Sequence, residues 1–338
     1  MNVAINGFGR IGRNFLRAYL KDKKAQGLFT ISIINIGNMP QNLVAQLFTY
    51  DTLMGTYQSA IRQDTSFLYI DDKKIKLIAE LDAENLPWNA EEIDFVVDCT
   101  GVFTKREKAQ LHLKSGAKYV LISAPADRDD VSIIPGINVE QFDPEKHKII
   151  SLGSCTTNAV IPLLFVLNNA FNIENSYMNT IHAYTNSQVL LDVENKDPRR
   201  ARAAALNIIP TSSGATTMVE KVIPSLSNKF DGISLRVPVA KVSIIDLSFI
   251  AEKNISVENV HESFKTFIKK STDFSIIEMT DKPLVSSDFS GNDHSVVIDM
   301  LLTKVQGKLG KIFGWYDNEW GYSVRLKDFL MYAAGRVK

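Results

Sequence analysis

The chain has 338 residues, more than one compact core usually holds, so two domains are expected. Its 45% apolar and 22% charged residues argue against disordered, collagenous and membrane classes, and Lys plus Arg equals Asp plus Glu at 38 each, so no net field favours nucleic acid or an anionic membrane. Two cysteines, Cys99 and Cys155, are too few for a disulfide framework or a four-thiolate zinc site, which suits a reducing cytoplasmic setting with a small molecule as partner. The opening MNVAINGFGRIG lacks the layout of a secretion signal and reads as a mature start, and no run of roughly 18 apolar residues predicts a membrane helix.

Taken in chain order, the apolar run Asn2 to Asn6 meets the turn Gly7-Phe8-Gly9-Arg10-Ile11-Gly12. Ile11, Phe15 and Tyr19 then recur at helical spacing, so the segment predicts strand, tight turn and helix. Thr30 to Asn35, Asp94 to Asp98 and Tyr119 to Ser123 are short runs rich in Val and Ile, as in the buried strands of a parallel sheet. Between the last two, Thr104 to Gly116 predicts a crossover helix stopped by Gly116. After about residue 150 the texture changes. Ile233 to Val239 and Val242 to Ile250 follow one another with no helix between them, which predicts antiparallel pairing. Val189 to Ile209, crowded with charges, predicts a long structured loop, and Tyr322 to Ala334 predicts a closing helix.

In a Gly-x-Gly-x-x-Gly turn between strand and helix, Gly7, Gly9 and Gly12 let the backbone curl tightly against a dinucleotide pyrophosphate at the helix start. An acid about 20 residues further on usually binds the ribose 2′-hydroxyl of NAD. Here the second strand ends at Asn35-Ile36-Gly37-Asn38, and no Asp or Glu lies between Asp22 and Asp51. A 2′-phosphate would meet no local repulsion, and after Lys24 the window offers no cation to clamp it either. Use of both NAD and NADP is therefore expected.

Ser154-Cys155-Thr156-Thr157-Asn158 precedes the apolar run Ala159 to Val166, placing Cys155 at a helix start, a position that stabilises a thiolate. His182, in Thr180 to Thr185, falls at a strand end from which it could face the thiol and accept its proton. Cys99, at a strand end in VVDCTG, reads as a small buried hydrophobe. His112, His147, His261 and His294 have no ligand-like spacing, and no metal is assigned.

These residues resemble the phosphorylating (type I) glyceraldehyde-3-phosphate dehydrogenases along nearly the whole chain. The likeness runs from INGFGRIGR through CTGVF, ISAP, SCTTN, HAYT, RRARAAALNIIPTSSGA, LRVPV and SSDFSGNDHS to WYDNEWGYS. It implies an α/β fold: a Rossmann domain with a doubly wound parallel sheet over residues 1–153, completed by a helix over 319–338. An α+β catalytic domain with a mostly antiparallel sheet would span 154–318. The resemblance makes Cys155 the nucleophile and His182 its base. It places the substrate phosphate at Thr185 and Arg236, and the attacking inorganic phosphate at Ser154, Thr156, Ser213 and Gly214. The cofactor would touch Arg10, Ile11, Asn35, Thr100 and Ser123 besides the glycine turn, with Asn318 fixing the nicotinamide carboxamide and Tyr322 nearby. A homotetramer is implied, with Arg199, Arg200 and Arg202 in ion pairs between subunits rather than on nucleic acid.

Several positions depart from the family pattern. Ser213 stands where Thr is usual, Leu152-Gly153 where Asn-Ala is usual, and Ala159 replaces a frequent second Cys. Val193-Glu194 occupies a loop position where NAD-specific members carry Leu-Pro, which weakens strict NAD use, although Glu194 could itself repel a 2′-phosphate. The rival readings are an erythrose-4-phosphate dehydrogenase of the same fold, a semialdehyde dehydrogenase with the same cysteine chemistry, and a non-catalytic binding role. The complete HAYT run and the serine-rich anion site disfavour the first, the later motifs the second, and the paired Cys155 and His182 the third as sole function.

Overall fold

The computed structural model describes residues 1–271 and 274–337. The chain divides into two compact units, one made of Met1–Ile133, Val139–Gly153 and Ser323–Lys338, the other of Ile134–Asn138 and Ser154–Tyr322.

The first unit carries strands β1 (Asn2–Asn6), β2 (Thr30–Asn35), β3 (Ile61–Gln63), β4 (Phe67–Ile70), β5 (Lys73–Ile78), β6 (Phe95–Asp98), β7 (Tyr119–Ile122), β8 (Val131–Ser132) and β9 (Ile149–Ser151). They form one sheet in the order β3-β4-β5-β2-β1-β6-β7-β9-β8. Every pairing from β5 to β8 is parallel, while β3 and β4 add an antiparallel edge. Val3, Ala4, Ile5, Phe95, Val96 and Val97 are fully buried, as expected where helices cover both faces of a parallel sheet. Those helices are α1 (Arg10–Lys21), α2 (Lys23–Leu28), α3 (Val44–Thr49) and α4 (Arg106–Lys114).

The β1–α1 turn explains its own glycines. Gly7 has φ +93°, and a Cβ there would meet Thr100 Cγ2 at 2.7 Å; a Cβ on Gly12 would lie 2.2 Å from the Gly7 carbonyl oxygen. Gly9, by contrast, faces open space, and no side chain caps the start of α1. Two of the glycines thus serve the packing of the turn, and the third leaves room beside an uncapped helix end.

The second unit carries α5 (Cys155–Phe171), β10 (Ile173–Ala183), β11 (Ile209–Ser212), α6 (Ala215–Val222), β12 (Phe230–Val237), β13 (Ser243–Ala251), α7 (Val257–Lys270), β14 (Ile277–Thr280), β15 (Val296–Asp299), β16 (Lys304–Gln306) and β17 (Leu309–Tyr316). The sheet runs β11-β12-β10-β13-β17-β15-β14, with β16 on β17. Its pairings are antiparallel except β10–β12 and β14–β15. β13 alternates, sending Ile245, Leu247 and Phe249 into the core. α5 has Ala159, Val160, Ile161, Leu163, Leu164 and Leu167 fully buried, and a helix apolar on every side must be enclosed.

The two consecutive strands expected to pair antiparallel are separated in the sheet. β12 and β13 do not pair with each other; β10 lies between them, parallel to one and antiparallel to the other. The link over 238–242 is long enough to step across the end of one strand, because neighbouring strands lie only about 4.8 Å apart.

The last helix, α8 (Trp320–Ala334), belongs to the first unit from Ser323 onward. There Phe329 packs edge-on against Phe95 and Phe142 at 6.4 and 5.3 Å, and Lys327 pairs with Asp22 at 2.6 Å. The segment between β10 and β11 is a loop closed by a bridge between Val189 and Ala203. Two of the ion pairs expected across subunits form inside this loop: Arg202 reaches Asp192 at 2.6 Å and Arg200 lies 3.6 Å from Asp197, because the acids interleave with the arginines in sequence. No helix among the described residues is long and apolar enough to cross a membrane.

Gly12→Ala should cost about 1–3 kcal/mol, the usual penalty of overpacking, since backbone must move to admit the methyl group. Gly9→Ala should cost at most about 1 kcal/mol, a helix-cap effect. Thermal denaturation of both variants checks the contrast, and equal losses would contradict it.

Candidate active site

Ser154 begins α5 as its N-cap. Its hydroxyl accepts from Thr157 N at 3.2 Å, while Thr157 Oγ1 accepts from Ser154 N at 2.6 Å, a reciprocal capping box built with Thr. This fixes Cys155 as the first helical residue. The residue is half-buried, and its sulfur lies 3.5 Å from His182 Nε2.

His182 is the penultimate residue of β10 and is nearly fully buried. The parallel register sets it directly beside Arg236 of β12, and side chains opposite each other in such a pair share a face. Nδ1 of His182 lies 2.6 Å from the Ala183 carbonyl oxygen and 2.6 Å from Arg236 Nη1, which also donates to that carbonyl at 3.2 Å. The two neighbours demand opposite tautomers. Donation from Nδ1 to Ala183 leaves the Nε2 lone pair facing the thiol; acceptance from Arg236 puts the proton on Nε2 instead.

Burial dominates the protonation of the group. It pushes the Cys155 thiol up, against the positive charge of Arg236 and hydrogen bonds from Thr156. It pushes His182 down to about 3, helped by Arg236 and opposed by the Ala183 carbonyl. The thiolate expected from the helix start is therefore not the favoured resting form, since desolvation outweighs the helix end. Arg236 is itself lowered by burial, and its Nε is buried with no hydrogen-bond partner among the described residues, so an anion there would satisfy it.

The remaining residues of this unit that the resemblance assigns to anion binding fall into separate local settings. Thr156 Oγ1 is 3.1 Å from the hydroxyl of Tyr316, which also meets Thr180 Oγ1 at 2.7 Å. Thr185 Oγ1 meets Ser187 Oγ at 3.0 Å. Ser213 accepts from Ala215 N at 3.3 Å where α6 starts, and Gly214 faces open space. Asn318 and Tyr322 are buried, with Asn318 Oδ1 accepting from Ser243 Oγ at 3.2 Å.

In the first unit, Arg10 pairs with Asp51 and Ile11 is part-buried. Thr100 donates to Asp98 Oδ1 at 2.9 Å, and Ser123 N donates to Asp98 O at 3.0 Å. Asn35 is turned inward: its amide donates to Asn6 Oδ1 and Glu80 O, and its carbonyl accepts from Gly37 N and Glu80 N. This amide staples strand ends together. His112 is wholly buried, accepting from Trp88 Nε1 at 3.1 Å, a structural role.

Two family models match the chain: the NAD binding domain of glyceraldehyde 3-phosphate dehydrogenase over residues 1–106, and the C-terminal domain of the same enzyme over residues 154–318. Glyceraldehyde-3-phosphate dehydrogenase 2 of Bacillus subtilis is 43% identical over 339 residues, covering 100% of this chain and 98% of its own. The glyceraldehyde-3-phosphate dehydrogenase of Geobacillus stearothermophilus is 43% identical, with 99% of each chain covered. That of Streptomyces coelicolor is 41% identical over 100% of this chain and 99% of its own. The chain belongs to the glyceraldehyde 3-phosphate dehydrogenase family. It is thus an oxidoreductase that works with a nicotinamide cofactor, and residues 1–106, with the Gly7 to Gly12 turn, match the NAD binding domain of the family.

Tyr316 and Ser243 were not singled out from sequence in this dehydrogenase. Tyr316 closes β17, its ring edge-on to His182 at 5.9 Å, and burial pushes its hydroxyl well above the ordinary tyrosine range. The signal available was a tyrosine at an inward position of an alternating strand, where a buried hydroxyl needs partners.

Because folding depresses His182 to about 3, the unfolded chain takes up the proton first as pH falls through its ordinary value near 6.5. The stabilisation from the neutral imidazole is complete above that pH. It is lost by up to about 1.4 kcal/mol per pH unit between roughly 6.5 and 3. His182→Asn should flatten this part of the pH–stability curve, measured by denaturant titration; an unchanged slope would contradict the assignment.

Proposed function

We propose that the chain catalyses the phosphorylating oxidation of D-glyceraldehyde 3-phosphate to 1,3-bisphosphoglycerate through a thioester on Cys155, in the glycolytic or gluconeogenic direction, in the cytoplasm. The observation that carries the reading is the 3.5 Å approach of Cys155 Sγ to His182 Nε2 with Arg236 alongside. In this reading a domain over residues 1–153, completed by the helix over 319–338, serves the dinucleotide, and one over 154–318 the chemistry.

His182 removes the thiol proton as sulfur adds to the aldehyde carbon, and returns it to the resulting oxyanion, giving a thiohemiacetal. A bound nicotinamide dinucleotide supplies the hydride acceptor. His182 takes the hydroxyl proton back as the carbonyl re-forms, leaving a thioester on sulfur. Inorganic phosphate then attacks that carbonyl, the sulfur leaves, and an acyl phosphate departs. Arg236 and Thr185 hold the substrate phosphate; Ser154, Thr156, Ser213 and Gly214 hold the incoming one. The unpartnered Arg236 Nε and the open backbone at Gly214 support these roles.

Both NAD and NADP are accepted in this reading. The β2 end offers no carboxylate, the Asn35 amide is spent on protein groups, and Glu80 turns its carboxylate onto Leu81 N and Asp82 N. A homotetramer completes the proposal. Leu190, Leu191, Leu206 and Ile208 of the loop are exposed, and such a concentration of apolar side chains supports a subunit interface.

The test follows absorbance of the reduced nicotinamide with glyceraldehyde 3-phosphate, with and without phosphate, for NAD and NADP in turn. Sustained turnover should require phosphate, and preference for NAD should stay below about a thousandfold, on the order of 4 kcal/mol. Phosphate-independent release of an acid would favour the erythrose-4-phosphate type of enzyme instead. Cys155→Ser should lose at least about a thousandfold in kcat, and undiminished turnover would sink the mechanism.

A further inference from the structure

Ser243, the first residue of β13, is almost completely buried and lies between two parts of the proposed site. Its Oγ accepts the N–H of Ala183 at 3.0 Å, and its own proton goes to Asn318 Oδ1 at 3.2 Å. A hydroxyl has one proton to give, and both of these bonds are needed to satisfy the group and its buried neighbours. Ala183 is in turn held at its carbonyl by His182 Nδ1 and Arg236. A continuous chain of contacts thus runs from Asn318 through Ser243, Ala183 and His182 to the Cys155 sulfur.

We propose that Ser243 is a positioning residue that holds the nicotinamide-facing amide of Asn318 and the His182 base in one register. This rests on the functional reading given above for Asn318, His182 and Cys155. By occupying the Asn318 carbonyl, Ser243 directs the NH2 end away from itself, so that Asn318 presents a donor suited to a carboxamide oxygen. By fixing the Ala183 N–H, it holds the strand end from which His182 meets the thiol.

The surroundings fix Ser243 firmly. The preceding Val242 has φ +68°, a strained backbone for a β-branched residue, and its side chain is buried with Phe289 and Val297. On the far side of Val242, Lys241 Nζ pairs with Asp317 Oδ2 at 3.0 Å, both side chains being almost fully buried. Asp317 precedes Asn318 and accepts from Glu319 N and Trp320 N at 3.1 and 2.9 Å at the start of α8. Lys241–Asp317 and Ser243–Asn318 are therefore two adjacent rungs joining one short link to the segment that carries Asn318.

The experiment compares the unaltered enzyme with Ser243→Ala and Ser243→Thr, measuring NAD affinity by fluorescence titration, Cys155 alkylation by iodoacetamide, and melting temperature. Ser243→Ala should weaken NAD binding about tenfold and slow alkylation several-fold, the scale of losing a buried hydrogen-bonded hydroxyl. Ser243→Thr, which keeps the hydroxyl, should restore both to within about twofold. If Ser243→Ala does not fold, Ser243→Cys, a weaker donor of similar size, should show the same two losses in milder form. The proposal is overturned if the folded Ala or Cys variant binds NAD and is alkylated like the unaltered enzyme, or if only its melting temperature moves. Neither readout needs turnover, so failure of the unaltered chain to oxidise glyceraldehyde 3-phosphate would count against the functional reading and not against the clamp.

Discussion

The meeting of a thiol with an imidazole depends on β10 being held from both sides. Residues Ser176 to Ala183 pair in parallel register with β12, and much of the same strand pairs antiparallel with β13. A slip of one residue against either neighbour would turn His182 to the opposite face of the sheet, because side chains alternate with a period of two. The other partner is fixed independently: the Ser154–Thr157 capping box decides where α5 begins, and so where Cys155 points. Two local devices 27 residues apart are thereby brought within 3.5 Å by packing the apolar helix α5 on the sheet that holds β10.

That packing also sets the electrostatics. Burial raises the thiol and lowers the imidazole, so the low-polarity surroundings penalise charge on either group. Arg236 favours a negative sulfur but disfavours a positive ring, so it supports the charge on one partner of the pair and opposes it on the other. A site of this kind gives little away in its resting form. Its fixed groups act on charge that develops during reaction, in surroundings where an ionic interaction is worth far more than in water.

What could be read from sequence was whatever local pattern determines. The glycine spacing between a strand and an amphipathic helix follows partly from sterics within a dozen residues, since a Cβ on Gly12 would strike the Gly7 carbonyl, although Gly7 itself is crowded by Thr100 from far along the chain. Short Val- and Ile-rich runs separated by helical stretches, against long runs with no helix between them, were enough to distinguish a parallel sheet from a mostly antiparallel one. The position of β10 between β12 and β13 was not legible, because consecutive strands look alike whether they pair directly or straddle a third. The inward turn of Asn35 depends on Asn6 and Glu80, residues far away in sequence, and nothing in its neighbourhood distinguishes a structural amide from one that meets a ligand. Ser243 and Tyr316 escaped for the same reason: each is an ordinary strand residue whose role exists only in the hydrogen bonds made across the sheet.

The ionisation of Cys155 shows most clearly why local rules fall short. A helix start favours a thiolate by an amount that depends on solvent access, and solvent access is a property of the packed unit rather than of the SCTTN segment. The same holds for His182, whose Nδ1 cannot both donate to the Ala183 carbonyl and accept from Arg236. Only the first arrangement leaves a lone pair on Nε2 toward the sulfur. The Arg236 guanidinium, resting on Nδ1, therefore opposes the tautomer that leaves Nε2 free toward the sulfur. The tautomer of His182 thus depends on the side chain that the β10–β12 register places beside it, and on neither motif alone.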